Sequence, residues 1–155
     1  MIFSDCIVFL LAKAYQKSQN HLKNRLKAIG LTPVQALVLE VLMESDALTA
    51  GEIGRRLILD NATLSGVLER MAEGGWIIKQ TDTEDKRVLR IFLSPKAETM
   101  RPRLIRERDE ANLEILAGFS GEECVVLKQL LRDFLVNKPQ AKEKSLVGKA
   151  NRRHH

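Results

Sequence analysis

The 155 residues hold only two cysteines, Cys6 and Cys124. Two thiols cannot build a metal-ligand array and need not pair, so a reducing compartment suits the chain, and both are expected as buried structural residues. Long apolar runs are missing too. Nothing approaches the roughly 18 residues of a membrane span, and Ile7 to Ala12 is too short, and too poor in flanking signals, for a secretory leader. The chain is therefore expected to be soluble and cytoplasmic, with no membrane partner. No Ser/His/Asp grouping, glycine-rich phosphate loop, catalytic carboxylate pair or metal-ligand spacing is visible, so no enzyme, cofactor or metal site is expected. His21, between Asn20 and Lys23, reads as a surface residue rather than a ligand or base.

Charge is scarce where it would matter most. The net +5 belongs to the tail from Lys138 to His155, which has six Lys/Arg against one Glu, so residues 1–137 carry no net charge. Thr49 to Leu93 balances seven against seven. The total thus says nothing of nucleic acid; only the placement of particular residues can. With few large apolar groups and no sustained period, 138–155 is expected to be a disordered basic tail.

What the sequence does have is a series of helix starts. Thr32-Pro33-Val34-Gln35 combines a capping hydroxyl, a first-turn proline and a glutamine that reaches back, and predicts a helix from Pro33 to about Glu44. Thr49-Ala50-Gly51-Glu52 repeats the box, Asp60 or Asn61 caps another start, Ser94-Pro95 opens a helix to about Ala117, and Ser120 with Glu123 opens one to Val136. Ahead of these, Val8, Leu11, Tyr15, Leu22, Leu26 and Ile29 space a long amphipathic helix over about Ser4 to Ile29. Between Gly75 and Leu93 the pattern changes. Trp76-Ile77-Ile78, the polar stretch Thr81 to Arg87, and the alternating Leu89, Ile91 and Leu93 predict a hairpin with a long polar tip. The many apolar residues of the last two helices, Leu104 and Ile105 through Phe134, imply that the terminal helices pack against a second copy.

Helix, turn, helix, hairpin is the order of a winged helix-turn-helix. Ile53, Leu57, Leu64, Val67, Leu68 and Met71 would share its core, leaving Asn61, Ala62, Thr63, Ser65, Gly66, Glu69 and Arg70 outward. Small polar side chains over the first two turns suit a helix that enters a major groove, where bulky groups would block the base edges. The helix start would also offer backbone donors to a phosphate. At the hairpin tip Lys86 or Arg87 could enter a minor groove, with Asp85 holding Arg87. Solvated turn charges and an ordinary exposed helix face are the plainer alternatives.

From about Ser4 to Phe134 the chain resembles the MarR family of dimeric winged-helix regulators, through LTPVQALVLEVL, LTAGEIGRRLILDNATLSGVLERMAEGGWI and DTEDKRVLRIFLSPKA. The family's Asp-x-Arg wing motif falls on Asp85 and Arg87, and its Leu-Thr on Leu93-Ser94. The resemblance implies a mainly α fold with a small β-hairpin: dimerisation helices in 1–32 and 95–137 around a winged helix-turn-helix DNA-binding domain in 33–94. It implies a homodimeric repressor on a palindromic operator, with Asn61, Thr63, Ser65, Gly66 and Arg70 at the major groove, Asp85, Lys86 and Arg87 at the wing, and release by a small-molecule effector or an oxidant.

LDNATLSGVLERM is similar to the branch of the family that senses organic hydroperoxides through an N-terminal cysteine. That branch's thiol aligns with Val8, however, two residues and about a 200° helical rotation from Cys6. Its tyrosine pair is absent, since Ala36 follows Gln35 and Tyr15 is the only tyrosine. A reactive thiolate needs such support or a nearby cation. Release by a ligand is accordingly preferred, with Phe9, Lys13, Leu37, Met43 and Trp76 as candidate pocket residues whose plainer role is core or surface. Peroxide sensing by Cys6, and a winged-helix protein-interaction module without DNA binding, stand as the alternatives.

Overall fold

The computed structural model describes residues 3–136; the expected basic tail lies outside them. A short 3-10 turn, Phe3–Asp5, leads into α1 (Ile7–Leu26), α2 (Pro33–Glu44), β1 (Leu48–Thr49), α3 (Ala50–Leu57), α4 (Asn61–Glu73), β2 (Ile77–Thr81), β3 (Leu89–Leu93), α5 (Pro95–Ile115) and α6 (Gly121–Val136). The fold is mainly helical with one small sheet.

The expected boxes form as hydrogen bonds. Thr32 Oγ1 accepts from the Gln35 amide while Gln35 Oε1 accepts from the Thr32 amide, and Thr49 and Glu52 exchange the same pair. Each box satisfies two backbone donors that a helix start leaves over. Glu52 is held below its ordinary carboxylate range chiefly by the Thr49 amide. Asp60, not Asn61, caps α4.

The sheet has three strands where the sequence pattern predicts two. β3 lies between β2 and β1, antiparallel to both, with Ile77 opposite Leu93 and Thr81 opposite Leu89. On its other edge Leu48 and Thr49 face Ile91 and Arg90. Two residues are too short for an alternation to register, which is why β1 escapes the sequence. Ile91 is buried, whereas Leu89, on the same face, is 47% exposed because the hairpin runs out past the core there.

One core joins α1's end to the winged elements: Leu26, Val38, Leu39, Leu42, Ile53, Leu64, Met71, Ile91 and Leu104 are each essentially fully buried. Leu57, expected inside, is only partly covered. Across the α1–α5 seam Arg25 gathers Glu107, Glu110 and Glu114, and His21 Nδ1 lies 3.4 Å from Glu114. Hydrogen bonds to Glu114 and then Glu107 push the Arg25 guanidinium further up, and Arg25 holds Glu114 below its usual range.

The first helix departs from expectation at its start. It begins at Ile7 rather than Ser4, with Cys6 in extended backbone at the cap, so the helical rotation between Cys6 and Val8 does not apply. Cys6 is exposed and Cys124 half-buried; the expectation of two buried thiols fails because, among the described residues, nothing covers Cys6. Val8 and Tyr15, placed on the apolar stripe, are 71% and 64% exposed. The last helix, α6, belongs to a separate compact unit beginning at Leu116. Its Ser120–Glu123 box closes as expected, and among the described residues none of α6 is buried.

Candidate nucleic-acid interface

The α3–α4 turn is tight because Gly54 allows it. A Cβ there would stand 3.2 Å from the Leu59 carbonyl and 3.4 Å from Leu64, and the Leu59 amide closes on the Gly54 carbonyl at 3.0 Å. The chain reverses through Ile58 at φ +54°, left-handed backbone that costs a β-branched residue free energy. Leu64, Val67, Leu68 and Met71 bury one face of α4.

Asn61, Ala62, Thr63, Ser65, Glu69 and Arg70 occupy the exposed face, with Gly66 half-buried among them. A Cβ at Gly66 would meet Arg70 Nη1 at 3.4 Å, so the guanidinium lies back along the helix over that glycine. Asp60 takes both the Thr63 amide and the Thr63 hydroxyl proton, each at 2.8 Å. The same amide, then the hydroxyl, hold Asp60 below the ordinary aspartate range. One expectation changes in consequence. The helix start already carries a carboxylate, which opposes a phosphate there, and Thr63 presents its oxygen to solvent as an acceptor.

The far end of α4 closes in a Schellman motif. The Trp76 amide donates to the Met71 carbonyl at 2.9 Å and that of Gly75 to Ala72 at 3.1 Å, with Gly75 at φ +72° supplying the left-handed residue. Midway, Lys79 of β2 reaches Glu69 at 3.8 Å.

The wing tip is organised by its acids. Asp82 Oδ1 accepts the amides of Glu84 and Asp85, and Asp85 accepts the Arg87 amide at 3.0 Å and its Nε at 3.2 Å. The Arg87 side chain is nonetheless 91% exposed, and Lys86 is exposed beside it. Arg87's side chain, then its amide, lower the Asp85 pKa. The sequence reading passed over Arg90. It pairs with Asp82 and donates to the Ala47 carbonyl at 2.9 Å, tying the tip to the segment before β1. The pairing lowers Asp82. The signal available was a lone arginine between Leu89 and Ile91, eight residues after an aspartate.

A pocket of about 340 Å³ opens among α1, α2, α3 and α5, lined by Tyr15, Leu22, Val34, Leu37, Arg108 and Asn112 among others. Of the candidate pocket residues only Leu37 lines it; Trp76 is core, 6% exposed. Arg108 is engaged by Glu40 at 2.7 Å and Asp109 at 2.9 Å. Among the described residues no group of His, Cys, Asp and Glu could hold a metal, and no helix is long and apolar enough to cross a membrane.

A two-helix unit with a small polar outer face, followed directly by a braced β-wing, defines a winged helix-turn-helix protein. Residues 29–88 match the model of the MarR family. A probable transcriptional regulator from Pseudomonas aeruginosa has a crystal structure that superposes with TM-score 0.81 at 32% identity, covering 85% of this chain and 98% of that one. The homoprotocatechuate degradative operon repressor of Escherichia coli is 25% identical over 131 residues, 84% of this chain and 88% of its own. A mutant of MarR from E. coli, solved with operator DNA, shares the fold at TM-score 0.79 and 22% identity over 87% of this chain and 99% of that one. The chain belongs to the MarR family: it is a DNA-binding transcription regulator, not an enzyme.

Proposed function

We propose that the protein is a homodimeric repressor that binds a palindromic operator and is released by a small ligand. The observation that carries this is the pairing of the small polar face of α4 with Arg87, almost fully exposed yet oriented by Asp85. Asn61, Thr63, Ser65, Gly66 and Arg70 read the major groove. With its hydroxyl donating to Asp60, Thr63 accepts from a base amino group, and Arg70 swings off Gly66 to donate. Arg87, with Lys86 beside it, enters the minor groove, where a narrow A·T segment attracts a guanidinium.

Dimerisation is supported by apolar side chains left bare in one chain. Phe3, Ile7, Val8 and Leu10 are exposed at the start of the fold, and Val125, Val126, Leu130, Leu131 and Phe134 along α6. Such faces are what a second copy covers, and they lie in 1–32 and 95–137, leaving 33–94 to DNA. Repression accords with the E. coli relative's name, an operon repressor. Release by a ligand is supported by the pocket, whose size suits a small molecule and whose walls include the α3 end of the helix-turn-helix through Leu57.

The test is titration of DNA selected by the protein from a fragmented genome, at several salt concentrations. Arg87→Ala should weaken binding roughly tenfold and reduce the slope of log K against log salt by about one, while melting unchanged. Unaltered affinity and slope would remove Arg87 from the interface.

A further inference from the structure

The Schellman motif that ends the recognition helix α4 leaves the carbonyls of Gly74, Gly75 and Trp76 outside the helix, and the start of α5 takes all three. The Ser94 amide donates to Trp76 O at 3.1 Å, Ser94 Oγ to Gly75 O at 2.6 Å, and Lys96 Nζ to Gly74 O at 2.9 Å. The same ammonium sits 4.1 Å from the centroid of the Trp76 ring. A cation at a helix C-terminus meets the negative end of the helix dipole, and the indole face adds a second attraction that fixes where it sits. Gly74 fits this arrangement tightly, since a Cβ there would stand 3.1 Å from Trp76 Cδ1.

We propose that Lys96 is a positioning residue for DNA recognition: it clasps the C-terminal end of α4 to α5 and so sets the angle at which Thr63, Ser65 and Gly66 reach the base edges. The lever is long. Thr63 lies eleven residues from Gly74, about 16 Å along a helix, so a tilt of about 5° at the clasp moves it by about 1.4 Å. That displacement breaks directional hydrogen bonds to bases. Phosphate attraction, less directional and set by charge, survives it. Lys96 thus governs discrimination between sequences, not general affinity for DNA.

This rests on the DNA-binding reading of α4, and the experiment separates the two. Wild type, Lys96→Met and Lys96→Arg are titrated, at several salt concentrations, with a duplex the wild type selects from a fragmented genome and with a scrambled duplex of equal length. Emission from Trp76, the only tryptophan, reports the clasp directly. Lys96→Met is expected to melt cooperatively, change Trp76 emission, and lose roughly fivefold on the selected duplex but under twofold on the scrambled one, with the salt slope unchanged. Lys96→Arg, which can also donate to Gly74 and stack on the indole, restores the wild-type ratio. Should the Met variant not fold, Gly74→Ala, which presses on Trp76 from the helix side, is expected to lose the same discrimination. A salt slope reduced by about one in Lys96→Met would make Lys96 a phosphate contact, and equal losses on both duplexes, or none, would remove it from positioning. A wild type that cannot tell the duplexes apart overturns the DNA reading of α4 itself, and this proposal with it.

Discussion

Two regions of this chain meet their physical requirements differently. From Leu31 to Ser94 the winged elements close on a core within one copy, to which Leu26 and Leu104 also contribute. The helix starts are capped, the strands are paired, and most of the large apolar side chains are inside, Ile58 and Leu89 being the chief exceptions. The 3-10 turn and opening turns of α1, and α6 in its own unit, are equally regular as helices but leave Phe3, Ile7, Val8, Leu130 and Phe134 in water. Regular backbone is therefore no sign of a finished surface. Local caps and periodicity make the helices; only burial shows where a chain has satisfied itself and where it has not.

That contrast can be broken experimentally, starting with the largest effect. Within the winged domain, Leu64 is 1% exposed, and Leu64→Ala should cost about 2–5 kcal/mol of unfolding free energy at any protein concentration, measured by urea denaturation. A loss below 1 kcal/mol would mean that the domain is less closed than described. On α6, Leu130 is 61% exposed. Leu130→Glu should barely disturb a single chain yet weaken self-association at least tenfold by sedimentation, and a variant that sediments like the wild type would leave that face without its proposed role.

A smaller effect is read against pH. The Asp60 cap has a depressed folded pKa, so its contribution is fully present above the unfolded value, near 3.8, and is lost as pH falls through the lower folded value. Asparagine caps comparably without titrating there. Asp60→Asn should therefore flatten part of the acid limb of the stability profile, leaving the share due to Glu52, Asp82, Asp85 and Glu114, which are lowered too. An unchanged acid limb would dismiss the cap as a source of acid lability.

Much of the fold was legible because its signals are local. A box such as Thr32–Gln35 spans three residues and needs no tertiary context, and α2 duly runs from Pro33 to Glu44. What escaped depends on distant partners. β1 exists only because Ile91 and Arg90 lie opposite it, Arg90 matters through Asp82 and Ala47, and Lys96 through Gly74 and Trp76. Periodicity put Val8 and Tyr15 on one stripe, but a stripe marks a face without saying whose surface covers it. At the candidate interface the outward set from Asn61 to Arg70 was readable by exclusion from the core. The commitment of Thr63's hydroxyl to Asp60 was not, because a hydroxyl can turn to either of two partners and the sequence does not show which.

The central claim, that the α4 face and the wing read operator DNA as a symmetric pair, is tested most directly by footprinting the wild-type protein on DNA it selects from its genome, with the stoichiometry of the complex measured alongside. Two chains are expected on an inverted repeat whose half-sites lie about one helical turn apart, near 34 Å. One chain on an asymmetric site, or protection with no sequence in common among the selected fragments, would contradict it.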